Sequence, residues 1–331
     1  MRTLVYDVAA DSGGAATVLQ SFYEEFRKDP ENEYLFVLSV YELEETPRIR
    51  VLNFPWVKKS PLHRLYFDYV MAPGLVERYG ADRVLSLQNI ALPRAGVPQT
   101  VYEHNALPFS EYRFRPWEAF RPWTTQQILG RMMRRSIRRA EKVLVQTNWM
   151  KAEIVRQCRI PEDRVEVRFP PVEMLKTKPW EMDAEKPLFF YPAGAPAYKN
   201  HRTFLKACEW LRERGCVSYE AVWTVTGEEN DGMRALKREA QEKGLPIRFA
   251  GPLPRQELFE LYARSVLVFP SYIETIGLPL LEARSVGAPI LAADCLYARD
   301  GVGDYARAQF FDPFDAERLG ELMGATGYEQ R

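Results

Sequence analysis

Two carboxylates, Glu274 and Glu282, stand with seven residues between them in the stretch "ETIGLPLLE". An apolar run, "VLVFPSY", precedes it and another, "APILAAD", follows. Pro279 suits the first position of a helix, where its missing N–H costs nothing, and that puts Leu278 near the cap. Gly277 opens backbone angles closed to other residues and lets a ligand approach the main chain. The unpaired N–H groups of the first turn and the helix dipole make an anion site that fits a phosphate. Glu282 lies about one turn into this helix and leans back toward its start, while Glu274 lies in the loop before it. Both acids therefore border the anion site, and neither should touch a phosphate, since like charges repel. Hydroxyl pairs on sugars are their natural partners. The spacing describes a ligand with a central phosphate and a sugar on each side, which is a nucleotide sugar. The alternative is that Glu282 is a first-turn acid favoured by the dipole and Glu274 a solvated loop charge, and spacing alone leaves the two readings open.

Positioning such a site takes a strand before it and a helix after it, and the chain repeats that unit throughout. "RTLVYDVA", "EYLFVLSVYE", "RIRVLNF", "RVLSLQN", "QTVYEHN", "KVLVQT" and "RVEVRF" read as strands, with helical patterns such as "TVLQSFYEEFRKD", "LHRLYFDYVMAPGLVERYG" and "NWMKAEIVRQC" between several of them. The segment 170–187, with four prolines and many charges, is the linker candidate. The alternation then restarts through "LFFYPAGA", "YEAVWTVTGEE", "IRFAGPL", "VLVFPSY", "PILAAD" and "AQFFDP". The expected fold is α/β with two doubly wound Rossmann-like domains facing across a cleft: residues 1–172, a linker at 173–187, and residues 188–331. Ligands in such sheets bind beyond the carboxyl ends of strands.

Composition sets the outer bounds. The 331 residues are 46% hydrophobic and 27% charged with a formal net charge of +0, so no global attraction to nucleic acid or membrane follows, and nucleic acid is not expected as a partner. Four cysteines without C-x-x-C spacing read as free thiols in a reducing compartment. "MRTLVYDVAADSGG" reads as a first strand, not a signal peptide. No apolar run approaches the roughly 20 residues that span a bilayer. A cytoplasmic protein is expected, with a peripheral position at the inner face of the membrane raised by one segment. Residues 130–142, "GRMMRRSIRRAEK", carry six cations against Glu141, with Met132, Met133 and Ile137 as an apolar side. This is either a basic amphipathic helix resting on anionic lipid or a solvated face of an ordinary helix in the first domain, with the second reading slightly favoured.

"FPSYIETIGLPLLEARSVGAPILAAD" resembles the E-x7-E signature of the family-4 retaining glycosyltransferases of GT-B fold. "VLVQTNWMKAEIVRQCRIPEDRVEVRFPPV" is similar to the end of that family's first domain, "YPAGAPAYKNHRTFLKA" to the opening of its second, in a variant typical of bacterial polysaccharide enzymes, and "IRFAGPLPRQELFELYARS" to the stretch before the signature. The correspondence is good over roughly 100–320 and holds in outline before that. The resemblance implies that Glu282 binds the nucleotide ribose and Glu274 the transferred sugar, with the amides of Gly277 and Leu278 on sugar hydroxyls and phosphate. It implies that Lys199 binds the donor phosphates and that His104 contacts the transferred sugar. Gly13 and Gly14 match the family's glycine-rich loop and would let the chain approach a diphosphate or acceptor at a helix N-terminus, and Tyr272 and the backbone near Leu253 are expected to flank the nucleotide base. The family often has an Arg five residues before this Lys, but here that position is Gly194, so a second cation is missing or supplied elsewhere.

The implied activity is transfer of a sugar, with retention, from a nucleotide-sugar donor to a saccharide or lipid-linked acceptor in cell-surface polysaccharide or lipopolysaccharide assembly. No cofactor is expected, and with no Asp-x-Asp and no metal-ligand spacing, no essential metal either. The competing readings are a catalytically silent nucleotide-sugar binder, a same-fold epimerase and a phosphorylase. Family members usually continue past the equivalent of "DAERLGELMGATGYEQR" into a helix that crosses back to the first domain, so this member either lacks that helix or is truncated.

Overall fold

The computed structural model describes residues 1–11, 13–170, 174–175, 177–181 and 186–328. The chain divides into two compact units, Met1–Val172 and Glu173–Arg331. In the first, β1 (Arg2–Asp7), β2 (Glu33–Leu38), β3 (Ile49–Asn53), β4 (Arg83–Ser86), β5 (Gln99–Glu103), β6 (Lys142–Val145) and β7 (Val165–Val167) pair in the order β3-β2-β1-β4-β5-β6-β7. In the second, β8 (Leu188–Tyr191), β9 (Glu220–Trp223), β10 (Ile247–Phe249), β11 (Val266–Phe269), β12 (Ile290–Ala293) and β13 (Ala308–Phe311) pair in the order β10-β9-β8-β11-β12-β13. Strand pairs such as β1–β4 and β8–β11 are parallel, and the strands expected from apolar runs are all found. The order reverses between β1 and β4 and between β8 and β11. At such switch points the loops diverge and leave room for a ligand.

The central strands of the second unit are buried on both faces. Phe189, Phe190, Tyr191, Val266, Leu267, Val268, Ile290 and Leu291 are all at most 1% exposed, which explains runs that are apolar throughout instead of alternating. Rings close the β8–β9 end: Trp223 meets His201 edge-on at 5.0 Å and Phe249 at 5.3 Å. In the first unit, helix residues Leu75 and Val76 pack on Leu4, Tyr6 and Val84 from one side. Val18, Leu19 and Phe22 pack on Val5, Phe36 and Leu85 from the other. Both units are thus doubly wound parallel sheets.

Residues 173, 176 and 182–185 of the expected linker lie outside the described residues. The described part is docked on the second unit: Trp180 Nε1 donates to the Ser265 carbonyl at 2.7 Å, and the Arg307 guanidinium lies 4.0 Å over the indole.

The helix Gly130–Arg139 corrects one expectation. Met133 and Ile137, read as part of an apolar side for lipid, are buried in the first unit at 2% and 0% exposure. Of the three apolar residues only Met132 is exposed, at 40%, beside the exposed Arg131, Arg135, Arg138 and Arg139. The apolar side is a core-facing stripe, which every surface helix of a globular domain carries.

Candidate functional site

The helix after β11 runs Leu278–Val286. Gly277 is its cap, in the left-handed region at φ 70° and ψ 54°, so the helix starts one residue earlier than Pro279 alone indicates. The proline occupies a first-turn position where no N–H is missed. With no side chain at the cap, Gly277 itself caps none of the first-turn amides. At the other end Gly287 is left-handed at φ 82° and the Ala288 N–H closes back on the Ala283 carbonyl at 3.0 Å. That glycine stop limits the helix to nine residues.

Lys199 ends a short 3-10 turn, Ala197–Lys199, in the loop after β8. This turn is fastened to the loop after β11. The Tyr198 carbonyl accepts from the Tyr272 N–H at 3.0 Å and from Ser271 Oγ at 3.2 Å. Asn200, left-handed at φ 60°, donates its amide to the carbonyls of Pro270 at 3.1 Å and Pro313 at 2.6 Å. The Tyr191 hydroxyl donates to the Lys199 carbonyl. So fixed, Lys199 Nζ donates to Glu274 Oε1 at 2.5 Å, with side chains 20% and 14% exposed. The two residues meet at the β8–β11 switch point.

Glu282 is 4% exposed and occupied on both oxygens. Arg255 Nη1 donates to Oε1 at 2.8 Å, and the Tyr262 hydroxyl donates to Oε2 at 2.8 Å. Burial and the Glu282 charge push the Tyr262 phenol well above its usual range, so it stays a donor. Arg255 and Tyr262 were not singled out in the sequence. Their signal was available: both lie on the helix Arg255–Tyr262, seven residues apart and hence on one face. Leu253, half-buried, precedes that helix in the same loop, after Gly251 at φ 73°. The Tyr272 ring packs on Phe314 at 5.2 Å. Gly194 lies in the loop after β8.

His201 begins the helix His201–Glu213 and is buried between Tyr191 and Trp223. Burial, then the Lys199 charge, pulls its imidazole down to about 3. It is a core ring held neutral. In the first unit, His104 follows β5, its backbone N–H donating to Asn89 Oδ1 at 2.7 Å. Burial pulls this imidazole down to about 4. Beside it Glu103 is fully buried and its carboxyl pushed well up by that burial. Gly13 and Gly14 open the helix Gly13–Phe26, and Ser12 lies outside the described residues. A Cβ on Gly14 would meet nothing within 4 Å, so packing does not require glycine there. The structure thus brings together Lys199 with Glu274, and Glu282 with Arg255 and Tyr262. Among the described residues no group of three or more His, Cys, Asp or Glu is placed to hold a metal ion.

Residues 175–324 match the model of "Glycosyl transferases group 1", and residues 12–174 match that of "Glycosyltransferase Family 4". The chain is 26% identical over 212 residues to an O-antigen chain mannosyltransferase B of Escherichia coli, covering 60% of this chain and 55% of that protein. It is 30% identical over 232 residues to a D-inositol 3-phosphate glycosyltransferase of Streptomyces bingchenggensis, covering 58% and 50%. The chain spans about half the length of these curated relatives. Among solved structures, the apo lipopolysaccharide outer core galactosyltransferase WaaB superposes with a TM-score of 0.67 at 16% identity, over 98% of this chain and 89% of that one. Anabaena Alr3699/HepE in complex with UDP-glucose superposes with a TM-score of 0.66 at 15% identity, over 100% and 90%. At these identities the likeness is one of fold.

Proposed function

This chain belongs to the family-4, group 1 glycosyltransferases of GT-B fold, and from that premise we propose that it moves a sugar, with retention, from a nucleotide-sugar donor to a saccharide or lipid-linked acceptor. The observation that carries the reading is the placement of Lys199 and Glu274 at the β8–β11 switch point, with Glu282 one turn into the helix that starts beside them. Lys199 takes the donor's phosphates, Glu274 the hydroxyls of the transferred sugar and Glu282 those of the ribose. The bare amides at Gly277 and Leu278 lie between. Tyr272 and the backbone near Leu253 flank the base, Gly13 and Gly14 let the chain approach the diphosphate or the acceptor, and His104 contributes to sugar recognition.

In the reaction, the acceptor oxygen bonds to the anomeric carbon on the face the diphosphate is leaving. The bond from that carbon to the diphosphate oxygen breaks with its electron pair going to the diphosphate, which also takes the acceptor's proton. Charge grows on the leaving group, and a fixed ammonium is most effective there. No essential metal is required on this reading. A relative named for O-antigen chains and a fold neighbour named for the lipopolysaccharide outer core support an acceptor in surface-polysaccharide assembly.

Thermal melts with UDP, GDP, dTDP and ADP sugars test the donor. One nucleotide is expected to raise the melting temperature by mass action, with nucleoside diphosphate released on adding acceptor and the rate unaffected by EDTA. A protein that no nucleotide stabilises is not a donor-dependent transferase. Binding without diphosphate release would mark a silent binder, and a rearranged donor formed without acceptor would mark an epimerase.

Peripheral contact with anionic lipid is part of the proposal, supported by the first unit's surface. No helix among the described residues is long and apolar enough to cross a membrane. Leu62, Leu65, Tyr66, Tyr69 and Val70 are 76, 52, 54, 40 and 56% exposed at the spacing of one helical stripe. Trp117, Phe120, Ile128 and Leu129 are exposed as well, ahead of the four exposed arginines of residues 130–142. Co-sedimentation with phosphatidylglycerol vesicles is expected to exceed that with phosphatidylcholine, and a Leu65→Asp, Tyr69→Asp variant to lose roughly tenfold of it. Equal binding to both lipids would remove the membrane from the reading.

A further inference from the structure

Lys199 and Glu274 are bonded to each other. Both side chains are at least four-fifths buried, and the turn that carries the lysine is fixed by backbone contacts on either side. The pair is therefore less screened than a surface pair, and opening it has a real cost. On the reading above, a donor brings its phosphate to this same ammonium. A phosphate beside Lys199 also stands beside the Glu274 charge.

We propose that Glu274 and the donor's diphosphate compete for Lys199, so that the site holds an intact donor and repels the diphosphate left after transfer. The proposal rests on the nucleotide-sugar reading of the site. An intact donor supplies both replacements at once. Its phosphate takes the ammonium, and its sugar hydroxyls donate to the carboxylate that the ammonium has given up. A nucleoside diphosphate supplies only the first. Glu274 is then left largely buried, without a donor and close to a like charge. After the sugar has moved to the acceptor, the carboxylate loses its hydroxyl donors and recaptures Lys199. The diphosphate's strongest cationic contact weakens at the moment it becomes the product. No covalent step is added, and the difference between the two ligands lies in what they offer Glu274.

A purely structural role for the pair predicts that breaking it weakens both ligands. Competition predicts opposite signs. The probes are the nucleoside diphosphate that most stabilises the wild type, among UDP, GDP, dTDP and ADP, and the corresponding sugar conjugate. Calorimetric titration of Glu274→Gln is expected to show the diphosphate bound about tenfold tighter than in the wild type and the intact donor bound no tighter. The product-inhibition constant should fall in step. Glu274→Asp, whose shorter chain draws the carboxylate back from Nζ, should shift the diphosphate the same way and guards against a glutamine variant that fails to fold. In a Lys199→Met background the glutamine substitution should move diphosphate affinity less than about twofold, closing the cycle. Diphosphate affinity that is unchanged or weaker in both Glu274 variants, with wild-type melting temperature retained, overturns the competition and leaves the donor reading intact. A wild type that binds none of the four diphosphates overturns both.

Discussion

Glu282→Ala is expected to erase the nucleotide-induced rise in melting temperature and to lower donor affinity by about a hundredfold or more. The size follows from the position of the carboxylate. At 4% exposure it is a fixed acceptor, and hydrogen bonds from hydroxyls to an ionised acceptor contribute about 1.5–3 kcal/mol each. Two ribose hydroxyls lost together account for the factor. The substitution also removes the partner of two donors. The Tyr262 hydroxyl is buried at 0% residue exposure and loses its acceptor, while the Arg255 side chain, 39% exposed, can turn to solvent. The ligand-free protein should therefore lose about 1–3 kcal/mol. Binding and stability effects separate by melting each variant with and without nucleotide. Glu282→Gln keeps the shape and one carbonyl acceptor, so it should recover most of the stability and little of the affinity. A thermal shift in Glu282→Ala equal to the wild type's would disprove the ribose role.

Gly277→Val should unfold the second unit earlier and stop turnover. Two costs add at this residue. Its φ of 70° is one a β-branched side chain enters only with strain, about 1–2 kcal/mol. A Cβ there would also lie 3.0 Å from Leu280 Cδ1 and 3.1 Å from Tyr297 Cε2. Neither neighbour can yield easily. Leu280 is fully buried, and the Tyr297 ring is 3% exposed with its hydroxyl donating to the Ser271 carbonyl at 2.5 Å. The sum is on the order of 3–4 kcal/mol, at the top of the range for single substitutions. A urea titration reads it as a lower midpoint at unchanged slope. Gly14→Ala is the control, since its Cβ meets no atom within 4 Å and its stability should be equal or higher. A Gly277→Val variant with the wild-type midpoint would mean that the helix does not begin on a left-handed cap.

The strands were legible because β11 "VLVF" and β12 "ILAA" are buried on both faces, so apolar content alone marked them. The start of the signature helix was legible to within one residue. Pro279 is compatible with either of the first two helical positions, and Gly277 decides between them by its left-handed geometry. Contacts between loops were not legible. Lys199 and Glu274 are 75 residues apart, and Arg255 and Glu282 are 27 apart. Nothing local says that these charges meet, because the order of strands in the sheet brings their loops together. The basic segment at 130–142 shows the opposite limit. Its period was right, but a period says only that one side is apolar and not what covers it. Met133 and Ile137 face the unit's own core.

The turn ending at Lys199 shares hydrogen bonds with the segments at Pro270–Tyr272 and Pro313. Those bonds make a bracket, so the lysine's main chain cannot shift without dragging both neighbours. An arriving donor finds the bracket already set and needs only side-chain tips to swing. Little reorganisation of protein dipoles then accompanies the build-up of charge on the leaving group, which is the condition under which a fixed field lowers a barrier most.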